Sequence, residues 1–345
     1  MNRKVKKLFY ILMIMFGVIT LSACECKEDT SRNGYDYLVL VNKYSALPDD
    51  WEDKVELVDA KNAWDEDIKL EKEAYEQYKK LEKELKNEGV IIELDSVYRS
   101  VKDQQALWDD WSNDPTKGID YVKKFVAVPG FSEHHTGLAI DICIRKDGEL
   151  IDDNDDMIAE REIFSKIHEK LSKYGFILRY LENREDSTGY TYEPWHLRYV
   201  GSKKIAKEIM DNNMTFEEYL ESIEDVKGTE SAAKIKIEKA LQDYFKDIYG
   251  DKISNSRFNI KKIYSEEDEK NNEILDSYKL GKKDIAFEVT YQIQPSDEKY
   301  IEELTMTSGN YDEVLGWIKD ISRLGILRYN DSDKSYRIEN FGTGW

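Results

Sequence analysis

Cysteine is scarce in this chain. Three occur among 345 residues, Cys24, Cys26 and Cys143, too few to staple a fold with disulfides. An excess of basic residues is missing as well. Lys and Arg number 51 against 71 Asp and Glu, for a net charge of −20. Such a surface repels phosphates at long range, which excludes nucleic acid and an anionic membrane face as partners. Histidine is rare too, with four residues, and no two of them stand four apart as in the common helical zinc motif. There is no internal repeat. Aromatic residues make up 12% of the chain, enough for ordinary cores, so the high charge describes a solvated surface rather than a disordered chain.

What is present begins at the N-terminus. Arg3, Lys4, Lys6 and Lys7 precede an apolar run from Leu8 to Leu21, followed by Ser22, Ala23 and Cys24. A basic start, a short apolar stretch and small residues describe an export signal. The run falls short of the roughly 20 residues a spanning helix needs. Leu21-Ser22-Ala23-Cys24 resembles the bacterial lipobox, so residues 1–23 are expected to be a lipoprotein signal and Cys24 the lipidated end. An ordinary cleaved signal or an uncleaved anchor would likewise leave the rest of the chain outside the membrane. Residues 24–35 are polar and read as a tether. The expected location is the outer face of the bacterial cytoplasmic membrane.

Two folded units are expected, 36–227 and 228–345, separated by a polar break near Glu224 to Ser231. In the first, Tyr37–Val41 reads as a strand and Asn62–Asn87 as a long amphipathic helix ended by Gly89. Val90–Leu94, Leu138–Ile144, Phe176–Tyr180 and Trp195–Val200 read as strands. Gln104–Trp111, Ile158–Tyr174 and Lys203–Met210 read as helices. In the second unit the pattern gives a helix at Ala232–Tyr249 and strands near 257–264 and 284–293. A helix at Tyr311–Leu324 and a strand at Tyr336–Asn340 follow. Strands and helices mix without regular alternation, so the fold class is α+β with a mainly antiparallel sheet. The second unit contains no histidine or cysteine, and it is expected to be an accessory domain whose partner is wall polymer or another protein.

The chemistry concentrates between residues 131 and 201. One compact segment carries Ser132, His134, His135, Gly137, Ala139 and Asp141; another carries Glu193, Pro194, Trp195 and His196. A hydrolytic metal site needs about three neutral or anionic ligands with an open position for water, and zinc favours histidine and carboxylate. It also needs a carboxylate beside that water but off the metal. His134, Asp141 and His196 can supply the ligands and Glu193 the base. Trp195 is expected to line the site by packing. His168 reads as a surface or structural histidine, and Cys143 as a buried thiol.

The spacing Ser132-x-His134-x-x-Gly137-x-Ala139-x-Asp141, followed by Glu193-Pro194-Trp195-His196, resembles the VanY-type family of zinc D-Ala-D-Ala carboxypeptidases, with its related L,D-carboxypeptidases. Ser96-Val97-Tyr98-Arg99-Ser100, with Gln104 beyond it, is similar to a third family element, although Val97 stands where the family usually has glycine. The resemblance covers roughly residues 36 to 210. It implies Zn2+ on His134, Asp141 and His196, Glu193 as base, and Arg99 facing the oxyanion or the terminal carboxylate. Gln104, Ser132 and Trp195 would face the substrate. His135 is left as a pocket neighbour or a solvated loop residue. The implied reaction is removal of the terminal D-Ala from peptidoglycan stem peptides. The alternatives are L,D-cleavage of tetrapeptide stems and a non-catalytic wall-binding lipoprotein.

Overall fold

The computed structural model describes residues 31–342, apart from 33–34, 115–121, 123–125, 225, 227, 307–308 and 314. The expected signal at residues 1–23 and the expected lipidation site, Cys24, lie outside the described residues. Among the described residues, no helix is long and apolar enough to cross a membrane.

The first unit is built on an antiparallel sheet. A hairpin of β1 (Leu57–Lys61) and β2 (Asp67–Glu71) leads into helix α1 (Lys72–Asn87) and strand β3 (Ile91–Leu94). Helix α2 (Val101–Asn113) follows, then β4 (Ala139–Lys146), β5 (Glu149–Ile151), α3 (Arg161–Leu171), β6 (Phe176–Tyr180) and β7 (Glu193–Tyr199). The strand order is β3-β4-β7-β6, with β5 pairing the far end of β4. Period-two alternation sorts side chains between its faces. Ile140, Ile142, Ile144, Leu197 and Tyr199 enter the main core, where Tyr78, Leu81 and Leu85 of α1 and Phe164, Ile167 and Leu171 of α3 cover them. Each apolar side chain so buried stabilises the fold by about 1.5–3 kcal/mol. The other face carries the alternate residues of β4 and β7, Asp141, His196 and Arg198 among them.

Two expectations fail in this unit. The helix expected from Asn62 begins only at Lys72. The Asn62 side chain accepts from the backbone N–H groups of Trp64 and Glu66 and Asp65 adopts a left-handed φ of 64°, a local turn that competes with helix. The helix instead starts where buried Glu71 caps it, accepting from the Ala74 N–H at 2.8 Å. Tyr37–Val41, expected as a strand, is buried but forms none. Val39 and Val41 face one core while Leu38 and Leu40 face another. The Tyr37 and Val39 carbonyls accept from the Arg198 guanidinium, both at 2.9 Å, in place of a ladder.

The second unit packs helix α4 (Glu230–Tyr249) on a second antiparallel sheet. Its strands are β8 (Ile253–Ile263), β9 (Ile285–Pro295), β10 (Asn310–Asp312), β11 (Trp317–Asn330) and β12 (Ser335–Gly342), in the order β8-β9-β11-β10 with β12 also on β11. The helix expected at Tyr311–Leu324 is therefore two strands. Ile318, Ile321 and Ile326 of β11 pair along β9, where β-branched side chains fit the pleated surface and tertiary pairing overrides helical spacing.

The units meet along β8. Phe258 donates its N–H to the Tyr44 carbonyl and accepts from the Ala46 N–H, so the segment around Ser45 lies parallel to β8 as a short added strand. The Ser45 hydroxyl donates to the buried Glu238 carboxyl of α4, whose pKa burial pushes up to about 7.

Candidate active site

Strand register assembles the site. Asp141 of β4 lies directly opposite His196 of β7, so their side chains share a face. His134 comes from the helical turn Glu133–Thr136 just before β4. Gly137 closes that turn with φ 71°, and a Cβ there would sit 3.1 Å from Leu57 and 3.2 Å from the Glu71 backbone, so glycine is the residue that fits.

His134 Nε2 lies 3.1 Å from Asp141 Oδ2, and His196 Nδ1 lies 2.9 Å from Asp141 Oδ1. One donor atom from each of the three residues falls within 4.8 Å of the others. The outward nitrogens are taken. His134 Nδ1 faces the Val97 carbonyl at 2.7 Å, and His196 Nε2 faces Glu133 Oε2 at 3.1 Å. Both partners are acceptors, so each imidazole holds its proton outward and turns a lone pair inward beside a carboxylate. Asp141 Oδ1 is buried with no aligned hydrogen-bond donor. Lone pairs and an anion converging in a buried space call for a cation, and this is the donor set and outer-shell arrangement of a metal site.

Glu193 lies beside this cluster and off it, with Oε2 3.7 Å from His196 Nδ1. Burial, opposed by His196, pushes its carboxyl up to about 7. A carboxyl poised there can both take and return a proton near neutrality. The step that carries it is fixed from behind, since His168 Nε2 donates to the Pro194 carbonyl at 2.9 Å. His168 is thus a positioning residue for the Glu193–His196 turn. Trp195 is buried in the main core while also lining the cleft.

Arg99 is mostly buried, and that burial lowers its pKa. Its guanidinium donates to Gln104 Oε1 and Ser96 Oγ, both at 2.9 Å. Gln104 in turn donates to the Ala127 carbonyl at 2.7 Å. Gln104 therefore holds Arg99 in place, with both ends of its amide engaged. His135 is fully buried, which excludes the solvated-loop reading. Its Nδ1 donates to the Arg99 carbonyl at 2.6 Å and its Nε2 accepts from the Gly130 N–H at 3.1 Å. This neutral tautomer fits a pKa that burial pushes down to about 4. Val97 keeps the turn before Arg99 and supplies the carbonyl that orients His134. Ser132 is buried on the cleft wall. Cys143 stands apart from the cluster, its Sγ 3.6 Å from the Glu93 carbonyl, and burial pushes its pKa up to about 12. The cleft over these groups has a volume of about 550 Å3.

Residues 67–202 match the model of the D-alanyl-D-alanine carboxypeptidase family, VanY. A putative carboxypeptidase of Bacillus subtilis, YodJ, is 40% identical over 202 residues, spanning 57% of this chain and 72% of its own. The chain belongs to the D-alanyl-D-alanine carboxypeptidase family. A second family relative, the bifunctional D-Ala-D-Ala dipeptidase and carboxypeptidase VanXYC of Enterococcus gallinarum, is 39% identical over 157 residues, covering 45% of this chain and 79% of that one. Among solved structures, the LD-carboxypeptidase LdcB is similar at a TM-score of 0.48 and 39% identity, over 55% of this chain and 87% of that one. The family match ends at residue 202, ahead of the second unit.

Within this family domain, sequence reasoning missed the layer behind the ligands. Glu133 is buried with Arg179 Nε at 2.9 Å and Arg198 Nη1 at 3.2 Å from its Oε1. Arg179 also makes a two-pronged pair with buried Glu217, at 2.6 and 2.9 Å. Burial alone would raise the Glu133 pKa, but Arg179 and Arg198 hold it well below the usual carboxylate range. It is therefore an anion, suited to fix the His196 tautomer. The available signal was an arginine inside each of two buried, mostly apolar strand segments, Phe176–Tyr180 and Trp195–Val200, because a charge in a fully buried strand needs a partner.

Proposed function

We propose that this chain is a zinc-dependent D-alanyl-D-alanine carboxypeptidase, removing the terminal D-alanine of peptidoglycan stem peptides outside the membrane. The observation that carries the reading is the convergence of His134, Asp141 and His196 with Glu193 beside them. The donor set of two imidazoles and one carboxylate suits zinc with an open position. Zinc held there supplies Lewis-acid chemistry, lowering the pKa of a water toward about 7 and polarising the scissile carbonyl.

The chain's own residues do the rest. Glu193 takes the proton of the attacking water and returns it to the amide nitrogen that leaves as D-alanine. Arg99, aimed by Gln104 and Ser96, stabilises the charge that develops on the carbonyl oxygen; one such donor is worth about 3 kcal/mol. Ser132, Trp195 and Tyr190 form walls of the cleft and orient the peptide. The extracytoplasmic location and the lipid at Cys24 rest on the basic, apolar and small-residue pattern of residues 1–24.

Purified protein supplied with equal concentrations of pentapeptide and tetrapeptide stems is expected to release D-alanine from the pentapeptide, read by mass. Release from the tetrapeptide alone would replace the D,D assignment by L,D specificity. Bound zinc with no release from either would leave a wall-binding module.

A further inference from the structure

Two cations, Lys43 and Arg257, line a recess that adjoins the cleft. Lys43 and Arg257 come from opposite units and are brought together by the added strand, in which Ser45 bridges Phe258. Among the described residues, no carboxylate lies within ion-pair distance of either one, in a chain whose net charge is −20. Arg257 is half-buried. Its guanidinium lies 4.0 Å from the Trp317 ring centroid and 5.4 Å from that of Phe131, a stacked setting that fixes a planar cation. Lys43 Nζ stands 4.5 Å from the Tyr190 ring centroid, and its stem packs against Gly189.

Both side chains line a small recess together with Val126, Ala127, Phe131 and Tyr190. Lys43, Val126, Ala127 and Tyr190 are also walls of the catalytic cleft, so the recess continues that cleft toward the second unit. Desolvation lowers the pKa of both cations, that of Arg257 to about 10. Glu193 partly offsets Lys43, but Arg257 opposes it, and holding two like charges side by side in a partly desolvated recess is unfavourable in the free protein. An arriving anion relieves that cost, and a fixed, stacked guanidinium meets a planar carboxylate with two parallel N–H bonds.

We propose that Lys43 and Arg257 form an anion subsite of the cleft that binds a carboxylate of the substrate peptide, so that the second unit contributes directly to substrate selection. The carboxylate belongs either to an upstream residue or to the terminal D-alanine. The inference rests on the peptidase reading above, and its test separates the two.

Arg257→Gln and Arg257→Lys are compared with wild type on a peptide ending in D-alanyl-D-alanine that carries a free upstream carboxylate. The same peptide with that carboxylate as carboxamide is run in parallel. Inhibition by D-alanine and by D-alaninamide forms the second arm. R257Q is expected to raise KM by roughly tenfold or more with little change in kcat, as for loss of one charge-assisted pair. R257K should recover most of the loss. If the penalty disappears on the carboxamide peptide, the subsite holds the upstream group. If it persists there while R257Q no longer distinguishes D-alanine from D-alaninamide, the subsite holds the terminal one. An unchanged KM, or an equal loss on every ligand together with a lowered Tm, overturns the proposal. Absence of hydrolysis by wild type would instead remove the peptidase reading.

Discussion

Glu193→Gln is expected to lower kcat for D-alanine release by about 10²- to 10⁴-fold, the usual worth of a positioned proton-transfer group. Zinc content should not change. Glutamine keeps the size of the side chain and its packing on the cleft wall, and Glu193 is outside the three-residue donor cluster. What it loses is the ability to accept a proton from water and return it to the leaving nitrogen. KM should stay near the wild-type value, because the side chain acts on the transition state and not on the bound peptide. Turnover within a fewfold of wild type in zinc-loaded E193Q would strip Glu193 of this role.

The second large effect is expected one layer behind the ligands. Glu133→Ala removes the anion between Arg179 and Arg198 and the acceptor of the His196 Nε2 proton. Arg179 keeps Glu217. Arg198 loses the carboxylate beside it and keeps its hydrogen bonds to the backbone carbonyls of Tyr37, Val39 and Tyr199. Breaking a buried pair by deleting one member costs about 3–5 kcal/mol, which urea unfolding reads directly. Zinc affinity should fall about 10- to 100-fold, the range found when an outer-shell partner of a ligating histidine is removed. Glu133→Gln gives a sharper comparison, since it keeps an acceptor for His196 while removing the charge. It should recover part of the zinc affinity and less of the stability. Full stability and full zinc binding in E133A would show the network to be dispensable.

How legible was all this in the sequence? The cluster His134, Asp141 and His196 with Glu193 beside it was readable because donor type and spacing are local properties. The strands that present them were readable too, β4 from its alternating isoleucines and β7 from its aromatic and apolar residues. Two helix assignments failed, for different reasons. The segment before α1 carried charge and apolar residues at near-helical spacing, and the Asn62 turn broke it. The helix expected across Ile318 and Ile321 gave way to pairing with β9, a partner some thirty residues away in the chain, which no local window contains.

The same distance effect hid the residues around the ligands. Glu133 meets Arg179 across 46 positions. Gln104 could be tied to the site by its motif, but its role of holding Arg99 emerges only with the Ala127 carbonyl in place. His168 gave no sign of its grip on the Pro194 carbonyl. Arg257 lies beyond the residues matched by the family, and only the strand added along β8 brings it to the cleft. Ligand identity was local information; orientation and selectivity were written in long-range contacts.

The central claim is a metal-dependent cut that frees a terminal D-alanine. Its most direct test is D-alanine release from a pentapeptide stem, followed through exhaustive chelation and then stoichiometric return of zinc. Release should stop when the metal is removed and resume when zinc is restored, with Asp141→Ala inactive throughout. Undiminished release from fully chelated, metal-free protein would contradict the account.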